Sequence, residues 1–210
     1  RFRPVNVYSG PDGCFYVVEL YRGILQHKVY VTSFYLKPYI LERKLEVPVG
    51  MGRIYRIVHT AKGRDKTRPR LLSASTTELV KTLSHPNGWW RDTAQRILVE
   101  RGDVEAAPLL RALFHTTDQP LGRVHALWTL SGLGALQGDD VRRAFEDPES
   151  GVRENAGVMA EGFLSDPGVL EALASKSGDP DARVRLQAAL TLGGGDTSAA
   201  REAMQVAPAQ

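Results

Sequence analysis

With 42% hydrophobic and 24% charged residues, the 210-residue chain has an ordinary globular composition and enough length for one or two sizeable cores. Its single cysteine, Cys14, excludes an internal disulfide framework and any CxxC-based zinc or haem site within these residues. The sequence contains no recognisable signal peptide and no apolar run long enough to span a bilayer. Because the first residue is Arg1 rather than Met, we expect a piece of a longer protein.

Charge is distributed unevenly along the chain. Residues 1–73 carry 14 Lys and Arg against 5 Asp and Glu, a net charge of +9, whereas residues 74–210 carry 13 against 19, a net charge of −6. All seven tyrosines also lie in the first part, the last at Tyr55. This change indicates two domains of different kinds. The negative second part would repel phosphate, so no nucleic-acid partner is expected.

Residues 1–58 have mainly the pattern of β structure. Gly10-Pro11-Asp12-Gly13 is typical of a tight turn between two strands, and Cys14 at the start of the second strand is expected to be a small buried side chain. A partly helical spacing begins at Thr32, although Pro38 argues against a long regular helix. One hairpin and odd strands cannot bury a sheet alone, so residues 1–58 are interpreted as the end of a larger β domain. Strands are predicted at 5–8, 14–19, 24–27, 29–31 and 53–58.

The next segment, residues 59–73, begins with the basic run HTAKGRDKTRPR. A solvated linker is the favoured interpretation. The alternative, contact with a nucleic acid or an anionic surface, is weakened because the basic run has no interleaved aromatic residues.

A short phrase recurs four times between His85 and Leu192, within residues 74–210. It reads HPNGWWRDTA, DQPLGRVHA, DPESGVRENA and DPDARVRLQA, and its alanines stand 32, 30 and 32 residues apart. This period is typical of stacked supersecondary units, so each repeat is predicted to hold a first helix, a proline-containing turn and a second helix. First helices are expected near 77–83, 104–115, 140–145 and 168–176, second helices near 89–100, 121–133, 151–164 and 183–192, and the start of a fifth repeat at 197–204. The anchor alanines are Ala94, Ala126, Ala156 and Ala188.

An arginine stands three residues before each anchor alanine. Asp147 and Asp179 lie in the turns of the third and fourth repeats, where a carboxylate can accept backbone N–H groups. We hypothesise that each arginine pairs with the turn aspartate of the next repeat and so forms a ladder between repeats. The four arginines are Arg91, Arg123, Arg153 and Arg185.

The phrase DPxxxVRxxA at this period resembles HEAT repeats, particularly the bacterial kind, over about residues 74–205. The third and fourth copies match well. The first copy departs with Trp89-Trp90, and the second has Gln119-Pro120 in place of Asp-Pro. The resemblance implies an α-helical solenoid of about four repeats. We interpret Trp89-Trp90 as the cap of the solenoid, with a ligand platform as the alternative.

The segment RPVNVYSGPDGCFYVVELYRGILQH at residues 3–27 resembles the closing blades of sorbosone and glucose dehydrogenase-like β-propellers. Followed by GRIYRIVH and the repeats, it is similar to bacterial membrane-bound dehydrogenase-like, haem-binding CxxCH proteins. That resemblance implies an α+β multidomain fragment with a short propeller tail in residues 1–58. It also implies a periplasmic or cell-envelope location and a parent protein with haem c and a quinone cofactor. No CxxCH occurs here, so no cofactor is expected in this fragment.

Arg22 and His27 are the catalytic candidates. Arg22 can hold a carboxylate with two hydrogen bonds, and His27 can take up a proton near neutral pH. A structural role with satisfied hydrogen bonds is the favoured alternative. No metal site is expected, because His85, His115 and His125 lack HxxxH spacing and a cysteine partner.

Two functions remain open from the sequence. In the first, the chain is the middle of a periplasmic dehydrogenase-like protein, whose helical repeats act as a spacer and interaction scaffold and which has no complete active site here. In the second, the chain is a non-catalytic scaffold. The expected partner is a protein, either other domains of the same chain or a redox partner. For the scaffold, a protein or polysaccharide-associated partner on the concave surface of the repeats is expected.

Overall fold

The computed structural model describes residues 2–25, 28–47 and 49–194, and the chain divides into two compact units. The N-terminal unit comprises Arg1–Pro69, and the helical unit comprises Arg70–Gln210. The division therefore falls inside the segment 59–73 that the sequence predicts as a linker.

The N-terminal unit contains a three-stranded antiparallel sheet in the order β1 (Pro4–Ser9), β2 (Phe15–Glu19), β3 (Arg53–Ile57). The Gly10–Gly13 turn joins the first two strands, and Gly13 has the positive φ of 72° that favours glycine. Cys14 is buried, which confirms its expected role as a small apolar side chain. A short helix, α1 (Leu36–Glu42), precedes β3 and contains Pro38 in its first turn, where proline removes no helical hydrogen bond.

The fold class expected from the sequence, an α+β fragment that begins with a propeller tail, is wrong. The described chain is mostly helical, and its three strands form one small sheet. β1 and β3 are exposed along their whole lengths, whereas propeller blades are four-stranded sheets with packed faces. Lys28–Tyr30, which overlaps a predicted strand, is a 3₁₀ helix. Gln26 and His27 lie outside the described residues, so the predicted strand at 24–27 is described only in part.

The chain turns away from the sheet directly after β2. Tyr21 has a positive φ of 46°, a conformation that non-glycine residues rarely adopt. The Arg3 guanidinium holds this turn, since its Nε donates to the carbonyl of Arg22 at 2.7 Å and its Nη2 to that of Gly23 at 2.9 Å. Gly23 in turn lies directly against the backbone of Leu45. These contacts set the chain path where the sequence pattern predicts further strands.

Gly23→Ala is therefore expected to disrupt the N-terminal unit. A Cβ at this position would overlap the carbonyl oxygen of Leu45, and backbone cannot move aside as cheaply as a side chain. Near-ultraviolet circular dichroism of the tyrosines, which all lie in this unit, checks the effect. Gly151→Ala is the control, because no atom lies within 4 Å of the position that a Cβ would take there. Gly151 lies in a helix, where replacement of glycine by alanine raises the free energy of unfolding by up to about 1 kcal/mol. An intact tyrosine signal in Gly23→Ala would contradict the packing described.

Up to Gly194, where the described residues end, the helical unit contains four helix pairs, in which each first helix packs on the second helix that follows it. The eight helices lie where the sequence predicts them, with one clear difference in length. The helix predicted at 151–164 ends as an α-helix at Met159 and continues as a 3₁₀ helix, Ala160–Phe163. In chain order the pairs are α2 (Thr76–Thr82) with α3 (Gly88–Arg101), α4 (Ala107–Thr116) with α5 (Pro120–Gly132), α6 (Gly138–Phe145) with α7 (Ser150–Met159), and α8 (Pro167–Ser175) with α9 (Ala182–Gly194).

The pairs stack through their second helices, since α3 contacts α5, α5 contacts α7 and α7 contacts α9. The anchor alanines lie in these contacts, and none of them is more than 1% exposed. A larger side chain there would force the helices apart, because protein interiors are close-packed. One continuous core runs through the stack, and its largest fully buried members include Leu98, Leu127, Phe145 and Leu173. The predicted fifth repeat at 197–204 lies outside the described residues.

Candidate functional site

Two arginine–aspartate pairs of the predicted ladder join successive repeats of the helical unit. Arg123 donates from Nε and Nη2 to the two carboxylate oxygens of Asp147, at 2.7 and 2.9 Å. Arg153 does the same with Asp179, at 2.7 and 2.8 Å. Both aspartates are buried, and two-point pairing of this kind combines charge with fixed geometry. The structure thus brings together the arginine of one repeat and the turn aspartate of the next.

Each ladder arginine is also held by the turn of its own repeat. Nη1 of each donates to the backbone carbonyl six residues earlier, at 2.7–2.9 Å. The aspartates have a second contact as well: Asp147 accepts the N–H of Glu149, and Asp179 accepts that of Asp181, both at 2.9 Å. The Arg123–Asp147 and Arg153–Asp179 rungs therefore each fix a turn as well as a helix, which restricts sliding of one repeat over the next.

The hydrogen bonds from Arg153 hold the pKa of Asp179 below its ordinary value of 3.8, although burial alone would raise it. Because the folded-state pKa is depressed, this carboxylate contributes stability above pH 3.8 that is lost as the pH falls through the folded-state pKa. We therefore expect Asp179→Asn to be less stable than the parent chain at pH 7 and nearly equal to it at an acidic pH below the folded-state pKa. Urea unfolding at the two pH values measures the difference, and a gap that persisted in acid would contradict this assignment.

The first rung has no acidic partner. The residue nine positions before its anchor alanine is an aspartate in the third and fourth repeats, but in the second repeat it is Thr117. Thr117 still accepts a backbone N–H in its turn, as the two aspartates do, because its Oγ1 accepts the N–H of Gln119 at 3.2 Å. The Nε atoms of Arg123 and Arg153 each donate to a carboxylate. The corresponding Nε of Arg91 is buried without a hydrogen-bond partner. Within residues 49–194, the ladder is complete at its second and third rungs.

His125 lies beside this first rung. Its Nδ1 is 2.6 Å from Oε1 of Gln95 on the preceding second helix, so the ring donates to the amide oxygen. Burial lowers the pKa of His125, and the positive charge of Arg91 lowers it further. A neutral imidazole that bridges two helices has a structural role. The described residues hold no group of three potential metal ligands.

A groove on the face of the second helices is the best candidate for a binding site. It consists of two open cavities of about 490 and 440 Å³, both of which are lined by Trp128 and Ser131 of α5. The indole therefore stands where the two cavities meet. We call their combined surface the second-helix groove; its other lining residues are Asp92, Gln95, Arg96, Val99, Glu100 and Gly132 on one side, and Gly134, Leu136, Val158, Met159, Glu161, Gly162 and Phe163 on the other.

A hydrogen bond to α7 holds the indole of Trp128 in place. Its Nε1 donates to Oδ1 of Asn155 on α7 at 2.7 Å, and the Asn155 amide in turn donates to the carbonyl of Gly151 at 2.8 Å. The half-buried indole packs against the hydrophobic core with one part and lines the groove with another. A large aromatic ring in a fixed position is a common anchor of protein-binding surfaces.

The residues singled out from the sequence do not converge on a catalytic site. Arg22 is exposed in the N-terminal unit, and its carbonyl accepts from Arg3, while His27 lies outside the described residues. Trp89 and Trp90 pack edge to face against each other, and Trp90 is buried in the core. No helix of the described chain is both long and apolar enough to cross a membrane.

The sequence reasoning missed the second-helix groove, although the repeat alignment carries a signal for it. The position two residues after each anchor alanine holds Arg96, Trp128, Val158 and Leu190 in turn. Such variation at one helical position is typical of a surface rather than of the shared core, and a tryptophan there is unusual because large aromatic side chains are mostly buried.

Comparison with known families adds one match. The model of DUF7133, described as a domain of unknown function, matches residues 1–61, which make up most of the N-terminal unit. The match leaves the helical unit outside it. No curated protein matches the chain.

Proposed function

We propose that the helical unit is a protein-interaction scaffold of the HEAT-repeat kind and that the second-helix groove holds its partner. The observation that carries the proposal is the fixed indole of Trp128 between two open cavities on one face of the stack. A partner segment that crosses the indole would bury its exposed part, and aromatic anchors of this kind dominate binding energies.

The ladder supports the same role. A scaffold must present its binding residues at fixed spacing, and here the groove is lined by side chains from three successive second helices. Arg123–Asp147 and Arg153–Asp179 bond neighbouring repeats at their turns, close to the starts of these helices. Preorganisation of this kind lowers the entropic cost of binding.

Photo-crosslinking in the native cell tests the scaffold role. A crosslinking amino acid in place of Ser131 lies in the groove, and the same amino acid in place of the exposed Glu171 on α8 is the matched control. We expect adducts at 131 that map by mass spectrometry to one segment of one partner, with none at 171. Absence of adducts at 131, or the same products from both positions, would contradict the proposal.

The sequence resemblance favours a second candidate, in which the scaffold serves as a spacer within a dehydrogenase-like, haem-binding protein of the cell envelope. The supporting observation is the residue pattern at 3–27 followed by GRIYRIVH and the repeats. In that case the expected longer protein would have a haem c visible spectrum that is reduced on addition of a sugar or alcohol substrate. A full-length protein without a haem band would exclude this candidate and leave the scaffold role untouched.

A further inference from the structure

Carboxylates lie on both sides of Trp128 in the second-helix groove. Asp92 and Glu100 line the first cavity, and Glu161 lines the second. Arg96 also lines the first cavity, and its Nε is 3.6 Å from the carboxylate of Glu100, with both side chains more than 60% exposed. The charge of Arg96 offsets that of Glu100, so the charges of Asp92 and Glu161 remain as a net negative charge. The groove therefore carries net negative charge, as does the C-terminal part of the chain, residues 74–210, with −6.

The indole of Trp128 is also suited to contact with a cationic side chain. A Lys ammonium or Arg guanidinium over an indole face is attracted by the negative charge of the ring, and Trp is the best of the three aromatic side chains for this contact. The hydrogen bond from the Trp128 Nε1 to Asn155 fixes the ring, so a cationic side chain would meet a surface that is already in place.

Small residues next to the indole leave room for a polypeptide backbone. Ser131 lines both cavities, and Gly132 and Gly162 line one each. Nothing lies within 4 Å of the position that a Cβ would take at Gly162. An extended segment places alternate side chains on one side about 7 Å apart, so a chain that crosses the indole can direct one side chain into each cavity.

We propose, on the premise that the groove is the scaffold's binding surface, that its partner is an extended polypeptide segment rich in lysine and arginine. Basic side chains of the segment occupy the two cavities beside Asp92, Glu100 and Glu161, and one of them contacts the face of Trp128. Rim charges such as these set specificity and association rate, whereas the half-buried indole supplies the anchor.

Two variants with the same net charge separate this site from general attraction to an acidic protein. In the groove variant the three carboxylates become amides. In the control variant three exposed carboxylates that line neither groove cavity become amides. The groove variant is Asp92→Asn, Glu100→Gln and Glu161→Gln, and the control variant is Glu105→Gln, Asp118→Asn and Glu171→Gln.

The probe is a short fluorescein-labelled peptide that repeats lysine, alanine and glycine, titrated with the full chain at low ionic strength and followed by fluorescence anisotropy. We expect the groove variant to bind about tenfold more weakly than the parent chain, with binding by the control variant unchanged. Binding should also weaken as salt is added. Circular dichroism verifies that both variants are folded.

Three results would overturn the inference: no binding to the parent chain, equal losses in both variants, or equal binding of a peptide with glutamate in place of lysine. None of them would remove the scaffold role, which depends on the crosslinks from position 131. Conversely, absence of those crosslinks would contradict the scaffold role, whatever the result of the peptide titration.

Discussion

Arg153→Ala is expected to lower the free energy of unfolding of the helical unit by about 3–5 kcal/mol. Removal of one partner of a buried ion pair leaves the other charge without compensation, and the Asp179 side chain is only 4% exposed. The variant also loses the two bonds from Nη1 to the carbonyls of Asp147 and Pro148. Urea unfolding followed by tryptophan fluorescence measures the effect, because all three tryptophans lie in the helical unit.

Two controls define the origin of this loss. Arg96→Ala removes an arginine whose side chain is 64% exposed, so it is expected to change stability by no more than about 0.5 kcal/mol. Arg153→Met combined with Asp179→Leu removes both charges and should recover a large part of the loss, since no unpaired charge remains. An unchanged unfolding midpoint in Arg153→Ala would show that the ladder contributes nothing to the stack.

Thr117→Asp is expected to stabilise the helical unit by about 1–2 kcal/mol through completion of the first rung. The new carboxylate stands nine positions before its anchor alanine, as Asp147 and Asp179 do, and can replace Thr117 as the acceptor for Gln119. It would offer the buried Arg91 Nε the partner that it lacks. The thermal midpoint should rise by at least about 2 °C.

The same substitution in an Arg91→Leu background tests the mechanism. Without the guanidinium, Thr117→Asp adds an unpaired carboxylate to a half-buried site and should destabilise. Stabilisation in both backgrounds would show that the turn, rather than the rung, is responsible. A lower midpoint in Thr117→Asp alone would show that Arg91 and position 117 do not have the geometry of the other rungs.

The helical unit could be predicted closely because its determinants are local and repeated. The anchor alanine, the arginine three residues before it and the proline in the turn occur in every copy, so four independent segments point to one helix pair. The N-terminal unit has no such repetition. A short apolar run such as Val29-Tyr30-Val31 suits a strand, yet Lys28–Tyr30 forms a 3₁₀ helix in which Val29 and Tyr30 are exposed.

The site was harder to predict than the fold. The alignment shows Thr117 in an aspartate position, yet only the structure shows that the Arg91 Nε is left buried without a partner. Trp128 and Glu161 come from different repeats, and no spacing along the chain indicates that both border one groove. Convergence of side chains from neighbouring helices depends on how the pairs stack, which sequence periodicity does not specify.

Hydrogen–deuterium exchange of the full chain, with and without the lysine-rich peptide, tests the central claim most directly. The claim is that the second-helix groove is the binding surface of the helical unit. We predict new protection in α3, α5 and α7, strongest around Trp128 and Ser131, with the first helices α2, α4, α6 and α8 unchanged. Protection confined to the first helices, or to the N-terminal unit, would contradict the account.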